Sequence, residues 1–227
     1  MSSPVFIALL HHPMVNRSGE VITTSVTNLD IHDIARSART YGVEQFFIVT
    51  PLEEQQTVVQ RILAHWQSDS SAEAHPDRVE ALKRVRLVSE FEQVIAEIQT
   101  KWEKRPEVVL TDAAKAPKLT SYDTLSLEIA EERPIADSEV GTKPLARPRV
   151  IVFGTGWGVA PEFLKQVDRR LEPIEGAFDR ENQEHYNHLS VRSAVAITLD
   201  RLLGEASAGR KKRTRRLQQL RENEILV

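Results

Sequence analysis

Six short runs rich in Val, Ile and Phe, separated by stretches of helical periodicity, constrain this chain more than any other feature. The runs cover residues 5–10, 45–50, 84–88, 107–110, 149–153 and, more weakly, 170–174. Near-continuous apolar strands alternating with helices belong to a mostly parallel sheet covered on both faces, because each parallel connection needs a crossover element. The expectation is therefore an α/β fold: a mostly parallel sheet of about six strands with helices on both faces. Helices are predicted over residues 28–41, 52–66, 90–102, 122–130 and 189–203. The first carries Leu29, Ile34, Ala35 and Ala38 at helical spacing, with Thr27 or Asn28 as cap and Gly42 just past its end. The last offers Leu189, Ala194, Ile197 and Leu202 to a core. Residues 67–77 and the proline-bearing residues 132–148 read as surface connections, since the strand pattern resumes after each.

One core suffices for 227 residues of which 41% are hydrophobic and 28% charged. No cysteine is present, which excludes disulfides, thiolate zinc sites and cysteine nucleophiles. The apolar runs are far shorter than the roughly 20 residues that cross a bilayer. A soluble, cytoplasmic protein without a membrane partner is expected. The net charge of -3 hides an asymmetry. Residues 204–227 hold seven Arg or Lys against three Glu, so an acidic body of -7 carries a basic tail of +4. The expected division is a domain over residues 1–203 and a basic tail over 204–227.

Three segments could carry chemistry. In Gly154-Thr155-Gly156-Trp157-Gly158, a hydrophobic strand breaks into glycines, which let backbone N–H groups approach a ligand and adopt positive φ. A Rossmann reading fails on position, because that fingerprint opens its fold and only 69 residues follow Gly158. A structural tight turn and a different nucleotide-type pocket both remain. The second segment is the polar cluster Asn187, His188, Ser190 and Ser193 before the last helix; it either caps that helix or presents N–H groups and hydroxyls to a ligand. In the third, Asn28, His32 and Arg36 recur every four residues and share one helical face. That face is either solvated, with Asp33 pairing Arg36, or turned toward RNA phosphate, which a guanidinium suits. The adjacent His11 and His12 lack a third ligand, so no metal is expected. Trp66 and Trp102, near helix ends, read as packing residues.

Taken in order, these segments resemble the SPOUT superfamily of RNA methyltransferases. Residues 28–49, an asparagine-to-arginine helix followed by Tyr41-Gly42-Val43 and a strand, look like the first SpoU-type motif. The glycine loop looks like the second. Leu171-Glu172-Pro173-Ile174-Glu175-Gly176, followed by His188 to Ala194, is similar to the third. The resemblance runs from about Val5 to Leu203, narrowing to a bacterial subfamily of SAM-dependent RNA methyltransferases. Ser190 and Arg192 depart from it, standing where the best-studied members have asparagine and serine.

The resemblance implies a C-terminal trefoil knot and S-adenosylmethionine as cofactor. On this sequence its loops would use Leu110, Thr111, Gly154, Thr155, Gly156, Trp157, Gly158, Ile174, His188, Leu189, Ser190 and Val191. Arg36 would stand near the target nucleotide, with Asn28 and His32 as weaker catalytic candidates. Arg39, Arg192, Arg210, Lys211, Lys212 and Arg213 would join Arg36 in contacting tRNA or rRNA. A homodimer that completes the site across its interface is also implied. The alternative is a non-catalytic, RNA-binding or ribosome-associated protein that has kept the knot.

Overall fold

The computed structural model describes residues 4–66, 73–113, 116–131, 147–179, 184–185 and 187–212. In chain order the strands are β1 (Val5–Leu10), β2 (Met14–Val15), β3 (Val21–Ile22), β4 (Phe46–Val49), β5 (Val85–Val88), β6 (Glu107–Thr111), β7 (Leu119–Thr120), β8 (Arg149–Phe153), β9 (Arg169–Leu171), β10 (Phe178–Asp179) and β11 (Glu184–His185). The α-helices are α1 (Asn28–Thr40), α2 (Glu53–Trp66), α3 (Pro76–Leu82), α4 (Phe91–Trp102), α5 (Tyr122–Glu131) and α6 (Val191–Leu203). A 3-10 turn spans Phe163–Gln166.

Seven strands form one sheet in the order β5-β4-β1-β8-β6-β9-β7, every adjacent pair parallel. The parallel α/β expectation holds, with one strand more than foreseen. The addition is β7, a two-residue edge strand too short to leave an apolar run. β2 pairs with β3 and β10 with β11 as separate small antiparallel hairpins.

All six residues of β1 and all five of β8 are buried, as expected of central strands covered on both faces. Their side chains alternate between two cores. Val5, Ile7 and Leu9 join the core beneath α1, α2, α3, α5 and α6. Phe6, Ala8 and Leu10 join the opposite core, covered by α4 and the 3-10 turn, where the Phe91 and Phe163 rings meet edge-on at 4.9 Å. Helices thus cover both faces, unevenly. α1 begins at Thr27, whose hydroxyl accepts from Asp30 N, and ends before Gly42 at φ +71°. α6 starts two residues later than predicted, so Leu189 lies outside it and is exposed; Leu202 is in the core as expected, joined by Val195 and Leu199, while Ala194 and Ile197 are half-buried. α3 begins inside the predicted 67–77 connection, where Pro76 fits a first helical turn.

Ionic contacts lock the amino edge of the sheet. Glu107, first in β6, bonds Arg149, first in β8, at 2.7 Å and Arg169, first in β9, at 2.9 Å. Glu128 of α5 bonds Arg169 at 2.7 Å and lies 3.7 Å from Arg149. Beyond α6 the chain stays on the body: Gly209 N donates to Ser126 Oγ at 3.1 Å, and Ser126 Oγ donates to the Leu202 carbonyl at 2.8 Å. Ser207 and Gly209 are buried, so the segment 204–212, read as tail from the sequence, is packed against α5.

Candidate active site

Parallel strands deliver the loops that follow them to one edge, where ligands of open α/β sheets bind. β8 and β6 end side by side there, with Phe153 opposite Thr111. The glycine loop leaves β8 with Gly156 at φ +61° and Gly158 at φ +107°. Gly154 is closely packed, and a Cβ there would stand 2.9 Å from Met14 Cε and displace that methyl group.

The β2–β3 hairpin holds this loop. Val15 N donates to the Gly158 carbonyl at 2.9 Å, and Trp157 N donates to the Val15 carbonyl at 3.3 Å. Ala160 N donates to the Pro13 carbonyl at 3.0 Å. Thr155 Oγ1 donates to the Leu10 carbonyl at 3.0 Å and meets Thr24 Oγ1 in a short contact. Thr24 Oγ1 also lies 3.0 Å from His11 Nδ1. The loop is therefore fastened to the end of β1 and to the approach of α1.

A second group forms around the start of α6. Ser190 caps that helix, its Oγ accepting from Ser193 N at 3.3 Å. Asn187 Oδ1 accepts from Gly176 N at 2.7 Å, joining the turn after β9 to the cap. Ile174 and Val191 pack half-buried on the helix-rich core, while His188 and Leu189 are exposed. Arg192 then ties α6 to α1, with Nη1 3.4 Å from Asp30 and Nε 3.6 Å from Asp33. Asp33 thus pairs Arg192 rather than Arg36. Leu110 lies in the core with Phe163 and Val152, which leaves only its backbone for a ligand. Thr111, half-buried, gives its hydroxyl to the Val152 carbonyl at 2.9 Å.

The α1 stripe divides. Asn28 and Arg36 are exposed, and Arg36 forms no ion pair among the described residues. His32 is half-buried with its ring edge-on to Trp66, 5.3 Å between centroids. Burial, and then the Arg78 cation, lower its pKa from the usual histidine value. Trp66 packs on the helix-rich core and Trp102 on the other, both as predicted. Arg39 pairs Glu80 at 3.4 Å and Arg210 pairs Glu205 at 3.2 Å. Lys211 and Lys212 are exposed, and Arg213 lies outside the described residues.

The sequence reading missed the β2–β3 hairpin, although Asn16-Arg17-Ser18-Gly19 between two apolar pairs is a hairpin signal. It also passed over Thr24 and Asp30, whose roles depend on partners more than 130 positions away. Among the described residues, no cluster of three His, Asp or Glu could hold a metal. A cavity of about 360 Å³ between α5, β9 and α6 is lined by Tyr122, Glu172, Asp200, Arg201 and Ser207, none of them a residue of the glycine loop.

The site suits a nucleoside-bearing cofactor. Gly156 is exposed, and its own N–H and C=O take no part in the bonds that fasten the loop. A helix N-terminus with two serine hydroxyls stands at the start of α6. The glycine loop is thus held at the carboxyl edge of a wholly parallel sheet, the place where such folds bind cofactors. Residues 4–204 match the family described as SAM-dependent RNA methyltransferase, and the chain belongs to that family.

The chain is 42% identical over 198 residues to an uncharacterized protein of Aquifex aeolicus, covering 87% of each chain. It is 37% identical over 202 residues to a tRNA (guanine-N(1)-)-methyltransferase of Oleidesulfovibrio alaskensis, a match that takes in 89% of this chain and 42% of that one. The chain therefore spans about two-fifths of that relative's length. Among solved structures it shares its fold with the SpoU methyltransferase AviRb of Streptomyces viridochromogenes, at 11% identity and a TM-score of 0.50 over 90% of this chain and 60% of that one.

Proposed function

We propose that this RNA methyltransferase modifies tRNA or rRNA at the carboxyl edge of its sheet, with Arg36 contacting the target nucleotide. Of the two substrates tRNA is favoured, because a relative named for tRNA contains a unit 37% identical to this chain. Guanine N1 chemistry belongs to that whole protein and is not carried over. Bound S-adenosylmethionine supplies a methyl group on a positive sulfonium, which is electrophilic without further activation. The chain's own task is then placement, which contributes most where reacting atoms must align. Gly154, Thr155, Gly156 and Gly158, the Thr111 backbone and the turn from His188 to Val191 would hold the cofactor, inside the trefoil knot that the resemblance implies.

The observation that carries the assignment of Arg36 is its exposure without an ion pair among the described residues, on the helix that follows Thr24, whose hydroxyl meets Thr155 of the glycine loop. Asn28, exposed at the start of that helix, is the second contact; His32 serves packing against Trp66. A second copy of the chain would cover Leu29 and Leu189, 57% and 45% exposed beside the site. Work on RNA in the cytoplasm belongs to the same proposal. No described helix is long and apolar enough to cross a membrane.

Calorimetric titration tests the reading. The protein should bind S-adenosylmethionine, and Gly156→Val should weaken binding at least about ten-fold, because a branched side chain is strained at φ +61° and its Cβ would meet Thr24 Cγ2 at 3.3 Å. Arg36→Ala should keep cofactor affinity while lowering methyl transfer to bulk tRNA by about ten-fold or more. Absence of cofactor binding by the unaltered chain would overturn the assignment in favour of a non-catalytic RNA-binding protein.

A further inference from the structure

Trp157 is 68% exposed, the most exposed large hydrophobic side chain among the described residues. Its position is nonetheless rigidly defined. Gly156 at φ +61° and Gly158 at φ +107° flank it, and that pair of left-handed turns sets the backbone so that the residue between them projects outward. Its N–H is engaged by the Val15 carbonyl, and Val15 N returns a bond to Gly158. The N–H of Trp157 and the carbonyl of Gly158 are thus both held by the hairpin.

The hairpin itself is stiff. Asn16 Oδ1 accepts from Ser18 N and Glu20 N, each at 2.9 Å, and Asn16 Nδ2 donates to Glu20 Oε2 at 2.7 Å. Its tip presents Arg17, exposed and without an ion pair among the described residues, and its second strand presents Val21, 52% exposed. The backbone of Trp157 is bonded to Val15, and the exposed guanidinium of Arg17 follows two residues further along the same hairpin, so a flat aromatic face and a cation are offered on one connected unit.

The geometry points to Trp157 as a stacking platform for an unpaired RNA base, with Arg17 receiving a phosphate of the same strand. This rests on the RNA-methyltransferase reading and reassigns Trp157 from the cofactor to the nucleic acid. The ring belongs to neither hydrophobic core, so its faces are open to a base. Stacking on an aromatic side chain is tolerant of base identity and contributes roughly five- to hundred-fold to single-strand affinity. A single phosphate contact adds little specificity and a salt-dependent gain.

The test uses the full chain, bulk tRNA and S-adenosylmethionine. RNA should quench tryptophan emission of the unaltered protein; Trp157→Phe should remove most of that quench yet retain most of the affinity, since Phe still stacks. Trp157→Ala should raise the KM for RNA about ten-fold with cofactor affinity within two-fold of normal. Arg17→Gln should weaken RNA binding a few-fold and make its salt dependence shallower by roughly one phosphate contact.

Three results would overturn the proposal. One is loss of cofactor affinity in Trp157→Ala with RNA affinity intact, which returns the ring to the cofactor. Another is conversion of a dimer to monomers by Trp157→Ala in light scattering, which gives the ring to a second copy. The third is RNA binding and quench unaltered in Trp157→Phe and Trp157→Ala alike. If the unaltered chain binds no cofactor, the enzyme reading fails by itself, and the quench comparison still decides the role of Trp157.

Discussion

His11 shows how a single residue can set the shape of a loop it does not belong to. It is wholly buried at the end of β1. Thr155 donates its hydroxyl proton to the Leu10 carbonyl, so its oxygen receives the proton of Thr24; the Thr24 oxygen in turn receives Nδ1–H of His11. The chain of donors has one consistent direction. It places the proton on Nδ1 and leaves the Nε2 lone pair buried without a partner in the protein. Burial lowers the His11 pKa to about 4, against the opposing pull of Asp30 and the Thr24 bond. As pH falls, the unfolded chain therefore takes up a proton near 6.5 while the folded chain resists until about 4. Stability attributable to His11 is intact above pH 6.5 and is lost through that window, by about 2 kcal/mol between pH 6.5 and 5. His32 shifts in the same direction. Urea unfolding at a series of pH values should show this acid limb in the native protein and a markedly shallower one in His11→Gln. Equal slopes would place the proton uptake elsewhere.

At the scale of elements, the amino edge is where the registers of β6, β8, β9 and α5 are fixed together. Arg149 and Glu107 have side chains only 3% and 6% exposed, so neither charge can fall back on water. Replacing one partner of a buried pair typically costs about 3–5 kcal/mol, because the other charge is left unmatched. Glu107→Gln should cost toward the lower end, since Glu128 still lies 3.7 Å from Arg149. Chemical denaturation would measure it, and a loss under about 1 kcal/mol would mean the network contributes little. None of this was legible in the sequence, where Glu107 and Arg149 merely open two apolar runs. The runs themselves were legible, because strands buried on both faces are apolar without interruption, and β1 and β8 fall where the pattern put them. Two-residue strands such as β2, β3 and β7 were not. They exist through their pairing partners rather than through any local preference. The glycine loop was visible as a motif, but that Arg192 would bind Asp30 and Asp33 depended on α6 packing on α1.

Across the whole molecule the two ends of the sheet divide the work. The glycine loop leaves the carboxyl end of β8, while Gly209 rests on Ser126 and Ala130, two residues either side of Glu128, whose carboxylate reaches the first residues of β8 and β9. A five-residue strand is about 16 Å long, so Gly209, which leads into Arg210, Lys211 and Lys212, lies toward the opposite end of β8 from the glycine loop. The fit there is tight: a Cβ at Gly209 would stand 2.2 Å from the Ser126 carbonyl oxygen. Arg210, Lys211 and Lys212 therefore face RNA away from the glycine loop. They would act by holding the substrate on an otherwise acidic body, and not on the transfer itself. Removing residues 213–227 takes away four of the seven tail arginines and lysines and leaves the packed segment in place. Every phosphate that the shortened tail no longer neutralises should flatten the dependence of log affinity on log salt by roughly 0.7–0.9. The truncated protein should thus show a higher KM for tRNA at moderate salt, a shallower salt slope and an unaltered kcat at saturating RNA. A fall in kcat with KM unmoved would place the tail at the reacting end of the molecule instead.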